Sequence, residues 1–326
     1  RLSAVPRAGQ SMTLVIGTDE AGYGPNLGPL VVAATAWRIG TPADAAEAVF
    51  TALAGGTWNA APGPLWADSK TIHRGAHGFA ALERGVQTAI ALSGNDAVDG
   101  WPALAATLGD IGPVPRATAD WSRLESLRLP RAAELESCRA ATASARRALE
   151  AAGIALVGVA ARAIYPAEFN RLLDSGLNKS DVLSQTTLDL AATIRERFTA
   201  GETIIWCDRH GGRKSYAALV GRHFAAPLVQ TLEETPGRSA YAVPAARLLI
   251  DFSVGGEARL PVAVASMTAK YVRELAMEAF NAVWTQRVPG LAPTAGYPVD
   301  ARRWRTEATD GIRAAGITLD ELWRRA

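Results

Sequence analysis

Two short apolar runs, Leu14-Val-Ile-Gly17 and Leu30-Val-Val-Ala-Ala34, stand about a dozen residues apart with a glycine- and proline-rich interval between them. β-Branched runs of this length, bounded by turn residues, read as adjacent strands. The interval opens on Asp19 and Glu20, where the first strand is expected to end, and continues Ala21-Gly22-Tyr23-Gly24-Pro25. Side chains alternate along a strand, but at a strand terminus that rule relaxes, so both carboxylates can converge on one cation. Converging carboxylates beside bare backbone amides call for a hard divalent ion, Mg²⁺ or Mn²⁺. The bland alternative is a solvated acidic turn. A dinucleotide-binding reading of Gly22, Gly24 and Gly28 fails, because the spacing is off by one residue and the acid pair would face an anionic pyrophosphate.

Helical spacing continues over 75–93, 131–152, 181–199 and 263–284, and strand patterns over 154–164 and 203–207. The pattern breaks from 95 to 130, where Trp, Pro and Gly are scattered, so an insertion is expected at about 94–150. One or two amphipathic helices are expected over 301–324. This order predicts an α/β fold organised as a loose tail 1–12, a domain 13–288 and a C-terminal loop and helical extension 289–326.

Two further segments carry chemistry. Asp208 follows the apolar run 203–207 and opens into Arg209-His210-Gly-Gly-Arg-Lys214, an acid on a rigid base leading to a basic loop. His210 is a candidate proton shuttle or substrate contact. On the predicted helix 263–284, Ser266, Lys270, Glu274 and Glu278 recur every fourth residue and draw one polar stripe. Lys before Glu is the weaker order for helix support, so the stripe is either a plain solvent face or part of a site.

Only four of the 34 basic residues are lysines, which makes Lys70 and Lys270 informative, and a net charge of +2 gives no global signature of nucleic acid. Cys138 and Cys207 are too few for a disulfide framework and fit a reducing cytosol. No targeting segment and no membrane-spanning run is expected.

Together these segments resemble the ribonuclease HII family. Its opening Asp-Glu-Ala-Gly-Arg-Gly stands here as Asp19-Glu20-Ala21-Gly22-Tyr23-Gly24, and its Asp-Ser-Lys as Asp68-Ser69-Lys70. Its helix signature Ala-Ser-Ile-x-Ala-Lys-x-x-Arg-Asp is similar to Ala265-Ser-Met-Thr-Ala-Lys-Tyr-Val-Arg-Glu274, and its Gly-Tyr-Pro to Gly296-Tyr297-Pro298. The resemblance implies a ribonuclease H-like fold, a central mixed sheet flanked by helices. It implies a two-metal carboxylate site of Asp19, Glu20, Asp208 and Glu274 holding Mg²⁺ or Mn²⁺. It implies that Gly22, Tyr23, Gly24, Ser69, Lys70, Lys270 and Tyr297 contact nucleic acid, either an RNA/DNA hybrid or duplex DNA with embedded ribonucleotides. The chain differs from the pattern at Tyr23, at Arg209 and at Glu274, and its opening is also similar to the ribonuclease HIII branch. The competing expectation is a weakly active or non-catalytic nucleic-acid-binding relative. For Tyr297 the alternative role is packing the C-terminal helices onto the core. No protein partner can be inferred.

Overall fold

A computed structural model describes residues 12–56, 58, 63–73, 78–95, 98–113, 121–198 and 201–325. All but the last residue of the expected N-terminal tail lies outside them. Seven strands form one mixed sheet: β1 (Thr13–Ala21), β2 (Leu30–Ile39), β3 (Ile154–Ile164), β4 (Glu202–Asp208), β5 (Gln230–Glu234), β6 (Arg238–Val243) and β7 (Leu248–Ser253), in the order β3-β2-β1-β4-β7-β6-β5. The pairs β1–β4 and β4–β7 are parallel, and the other neighbours are antiparallel.

The first strand is longer than its apolar run. Its ladder with β2 continues through Asp19, opposite Ala33, and Glu20, opposite Val32, so both acids lie within β1 and not beyond it. The ten-residue β2 keeps offering partners after the hydrophobic positions end. Strands β5 to β7 carry no clear alternation, so the sequence gives no strand signal there. Asp251 sits inside β7 because Arg238 and Arg259 neutralise it at 2.5 and 3.0 Å, and β5 is an almost wholly exposed edge strand.

Around the sheet lie α1 (Ala46–Ala54), α2 (Ser69–His73), α3 (Gly78–Leu92), α4 (Trp101–Leu108), α5 (Leu135–Ala151), α6 (Pro166–Asp174), α7 (Lys179–Glu196), α8 (Ala217–His223), α9 (Leu260–Arg287), α10 (Pro298–Ala314) and α11 (Leu319–Leu322). Helix α9 is apolar on most of its circumference and is buried across β1 and β2, as a core helix must be. Its N-terminal end lies so close to β1 that a Cβ on Gly17 would stand 2.2 Å from the Pro261 carbonyl carbon. Gly17→Ala should therefore destabilise the protein by about 3 kcal/mol or more through backbone displacement. A melting temperature within a degree of the parent's would refute that close approach.

The described residues of the stretch 94–150 contribute to the core. Trp101, Leu104, Leu124 and Leu129 join the apolar cluster that contains α3 and α9. One buried carboxylate ties this region together: Glu83 of α3, fully buried, accepts the N–H groups of Arg131, Ala132 and Ala133 at 2.7, 2.7 and 2.8 Å and the Tyr271 hydroxyl of α9 at 2.7 Å. The C-terminal extension is anchored by Trp304, whose ring lies 5.2 Å from Phe280 and 5.0 Å from Trp284. Among the described residues no helix is long and apolar enough to cross a membrane.

Candidate active site

The parallel ladder of β1 and β4 ends at Thr18 opposite Cys207, so the next residue of each strand, Asp19 and Asp208, comes side by side where the sheet opens. Asp19 is buried; its Oδ1 accepts the Glu20 N–H at 2.8 Å, and its carboxylate also bonds the Ser266 hydroxyl. Burial, and then the charge of Asp208, push the Asp19 carboxyl well above the usual range. The Glu20 carboxyl is raised as well, by burial and then by Asp19 and Asp208. Asp208 is also raised by burial, although a 2.8 Å bond from the Gly256 N–H offsets part of the effect. Three carboxylates held in mutual repulsion are a site prepared for positive charge.

These acids form one side of an open cleft of about 620 Å³. The opposite wall is the polar stripe of α9: Ser266, Lys270, Glu274 and Glu278 all face the cleft, so the stripe is no plain solvent face. Ser69 and Lys70 at the start of α2 complete it, and the Ser266 and Ser69 hydroxyls meet at 3.0 Å. Gly22 and Tyr297 stand at the rim. Tyr297 is 58 % exposed, which excludes the core-packing alternative. Gly24 lies beneath the Tyr297 ring, a Cβ there being 4.0 Å from it. Tyr23 turns to the outer flank, where Lys179 Nζ sits 4.7 Å over its ring.

The glycine turn is held rigidly from below. Gly22 has φ +84°, and a Cβ there would meet Pro29 O at 2.6 Å, so a side chain is excluded on two grounds. Buried Arg273 donates to the carbonyls of Leu27, Pro29 and Ala295 at 3.1, 2.6 and 3.0 Å. Burial lowers its guanidinium to about 10. A second buried arginine, Arg324, donates to the carbonyls of Gly22, at 2.5 Å, and Pro25. The segment around it is strapped to the turn by Arg324 N–H to Asn26 O at 2.8 Å and by Asn26 Nδ2 to Arg324 O at 3.1 Å.

Two expectations for the loop after β4 are overturned. His210 is no shuttle: it is buried, its Nδ1 is 3.0 Å from Ser184 Oγ, and burial holds its pKa at about 3, so it stays neutral and points away from the cleft. Arg209 is not part of an open basic loop either, because its guanidinium donates to the carbonyls of Arg213, Thr235 and Pro236. One acidic residue of the cleft escaped the sequence reading, Glu257. It follows β7 in Gly255-Gly256-Glu257, and its signal, an acid after paired glycines at a strand end, is the same as that of Asp19 and Glu20 in reverse order.

All these donors are oxygens, the chemistry a hard divalent ion takes, and the repulsion among Asp19, Glu20 and Asp208 is what such an ion would relieve. Among the described residues no three acidic, His or Cys side chains form a ready-made metal cage.

No protein-family model matches the chain, and no curated protein does. Among solved structures it is similar to the Q54A mutant of Bst-RNase HIII, at 15 % identity and TM-score 0.43 over 97 % of this chain and 67 % of that one. It is also similar to RNase HII in the PCNA:RNase HII complex from Archaeoglobus fulgidus, at 12 % identity and TM-score 0.40, covering 95 % of this chain and 93 % of that one. A third is ribonuclease H2 from Pyrococcus horikoshii OT3, at 14 % identity and TM-score 0.39, covering 95 % and 92 %. Likeness at this level assigns neither activity nor substrate.

Proposed function

We propose that this chain is a divalent-cation-dependent endoribonuclease that cuts the RNA strand of RNA/DNA hybrids or cuts at ribonucleotides embedded in duplex DNA. The observation that supports it most is the meeting of Asp19, Glu20 and Asp208 in one open cleft, with Glu274 on the facing wall and Lys70 and Lys270 beside them. Asp19, Glu20 and Asp208 would hold Mg²⁺ or Mn²⁺, with Glu274 reaching it directly or through water. Once bound, such ions polarise the phosphate and activate water. Lys70 and Lys270 supply positive charge to the phosphate oxygens, where charge accumulates in the transition state. Gly22 and Gly24 let the backbone approach a ribose 2′-hydroxyl, the group that distinguishes RNA from DNA. Exposed Tyr297, above Gly24, offers a flat ring to the neighbouring sugar.

The test is cleavage of three labelled duplexes, an RNA/DNA hybrid, DNA with one ribonucleotide and all-DNA, each with Mg²⁺ or Mn²⁺. Cutting confined to ribonucleotide-containing substrates is expected; cutting of none refutes the reading. Within it, Tyr297→Ala should lower cleavage at a single ribonucleotide about tenfold, as expected for loss of one stacking contact, while a long hybrid and the melting temperature change little. Equal loss on both substrates with lowered melting would contradict a junction-reading role.

A further inference from the structure

The glycine turn rests on a support that lies outside the cleft. Arg324 follows α11, is only 1 % exposed and stands behind the turn, apart from the cleft lining. Its Nη2 donates to Gly22 O at 2.5 Å and also to Pro25 O. A peptide unit is planar, with its C=O and N–H opposed, so holding one end aims the other. The Gly22 carbonyl, turned to Arg324, therefore sends the Tyr23 N–H the opposite way. The Pro25 carbonyl likewise sets the Asn26 N–H, which donates to Gly296 O at 2.8 Å, next to Tyr297. One guanidinium thus bears on both the turn proposed to sense the ribose and the segment that presents the Tyr297 ring.

Arg324 is itself held by α6. Its guanidinium carbon lies 5.2 Å over the Phe169 ring. Buried Asn170 commits its carboxamide to the same segment: Nδ2 donates to Asp320 O at 3.0 Å and to Trp323 O at 2.8 Å, and Oδ1 accepts the Arg325 N–H at 2.9 Å. Burying a charged group is costly, and a neutral donor could satisfy a single carbonyl at less cost. The planar guanidinium, with several donors in a rigid fork, can lock two peptides in one fixed relation.

We propose that Arg324 is a positioning residue for sugar selection. Held by Phe169 and Asn170, it keeps the Gly22–Tyr23 peptide and, through Asn26, the Tyr297 segment in one relative placement. The acids of the cation centre stand on β1 and β4 and are placed by the ladder between those strands. Loss of the guanidinium therefore loosens the distinction between ribose and deoxyribose while the acids keep their places. This inference rests on the proposed nuclease reading and adds a residue, distant in sequence and outside the cleft, that gives the turn its preference.

The experiment compares the full chain with Arg324→Met and Arg324→Lys. It measures Mn²⁺ affinity by titration calorimetry, kcat/KM on a duplex with one ribonucleotide, and inhibition of that cleavage by the matching all-DNA duplex. Because small misplacement of substrate-positioning groups is costly, Arg324→Met should lower kcat/KM about a hundredfold, with Mn²⁺ affinity and all-DNA inhibition within about twofold of the parent. Arg324→Lys, which keeps the charge and one reaching donor, should recover part of the loss. Parent-like kcat/KM in Arg324→Met overturns the inference, and so does a parallel weakening of all-DNA and Mn²⁺ binding, which marks a merely structural role. Circular dichroism and melting report folding. Should the Arg324 variants not fold, Asn170→Ala decides: it loosens the brace from α6 without touching the turn and should lower kcat/KM severalfold with Mn²⁺ affinity kept, and an unchanged kcat/KM overturns the inference. If the parent cuts the ribonucleotide duplex and these variants cut it equally well, this inference fails and the proposed function stands. If the parent cuts no ribonucleotide substrate, both fail.

Discussion

Asp19→Asn is expected to abolish cleavage, by 10³-fold or more, and at the same time to make the cation-free protein harder to unfold. The first effect follows from removing a charged donor at the point where β1 and β4 bring two acids together. The second follows from burial: a carboxyl raised in the folded state stays protonated there while its unfolded counterpart ionises. The cluster therefore costs nothing at pH values below the ordinary carboxylate range. The cost accumulates as pH rises from about 4 toward the raised folded value. In chelator, stability should fall across that window, and Asn should flatten the fall and return on the order of 2 kcal/mol at pH 8. Denaturant melts of parent and variant at pH 5 and 8, with and without Mg²⁺, decide the matter. A variant that is inactive yet less stable at pH 8 would mean that Asp19 is a supported structural acid.

Glu83→Gln should damage the fold severely. Its carboxylate satisfies three successive N–H groups ahead of α5 and the hydroxyl of Tyr271. Gln keeps one acceptor oxygen and presents an NH₂ group to donors that then have no partner. Leaving buried donors unsatisfied costs about 1–3 kcal/mol each, so a total loss of about 3–5 kcal/mol is expected. Urea unfolding measures it, and a loss below about 1 kcal/mol would show that the segment relaxes elsewhere. Activity per folded molecule should be largely retained, since Glu83 lies outside the cleft lining.

The parts of the site that could be read ahead of the structure share one property: each is a departure from a strong local pattern. Asp19 and Glu20 end the apolar run of β1 just ahead of a glycine turn, Asp208 ends an apolar run, and the α9 stripe breaks an otherwise buried helix. Glu257 stayed hidden because β7 itself did. Asp251 within that strand looks like a loop residue until Arg238 and Arg259, brought in by the sheet and by the segment ahead of α9, neutralise it. His210 misled for the opposite reason. A histidine beside a site acid invites a catalytic role, whereas its burial is decided by Ser184 of α7, Phe252 of β7 and Tyr216 at the start of α8. Pairings made only by tertiary structure leave no trace in spacing.

The hold of Arg324 on the glycine turn also sets an order of assembly. Asn26 and Arg324 are bonded across 298 residues of chain, while the β1–β2 ladder closes over a short turn. Loop-closure entropy favours the near contact, and distant contacts form after the elements that bear them. A partly folded chain can therefore possess β1 with Asp19 and Glu20 in register while Gly22 and Pro25 still lack the guanidinium that fixes their carbonyls. In that chain the acids would already be present, but the turn proposed to sense the ribose would not yet be rigid, so the proposed discrimination between sugars would be acquired later in folding than the acid pair itself.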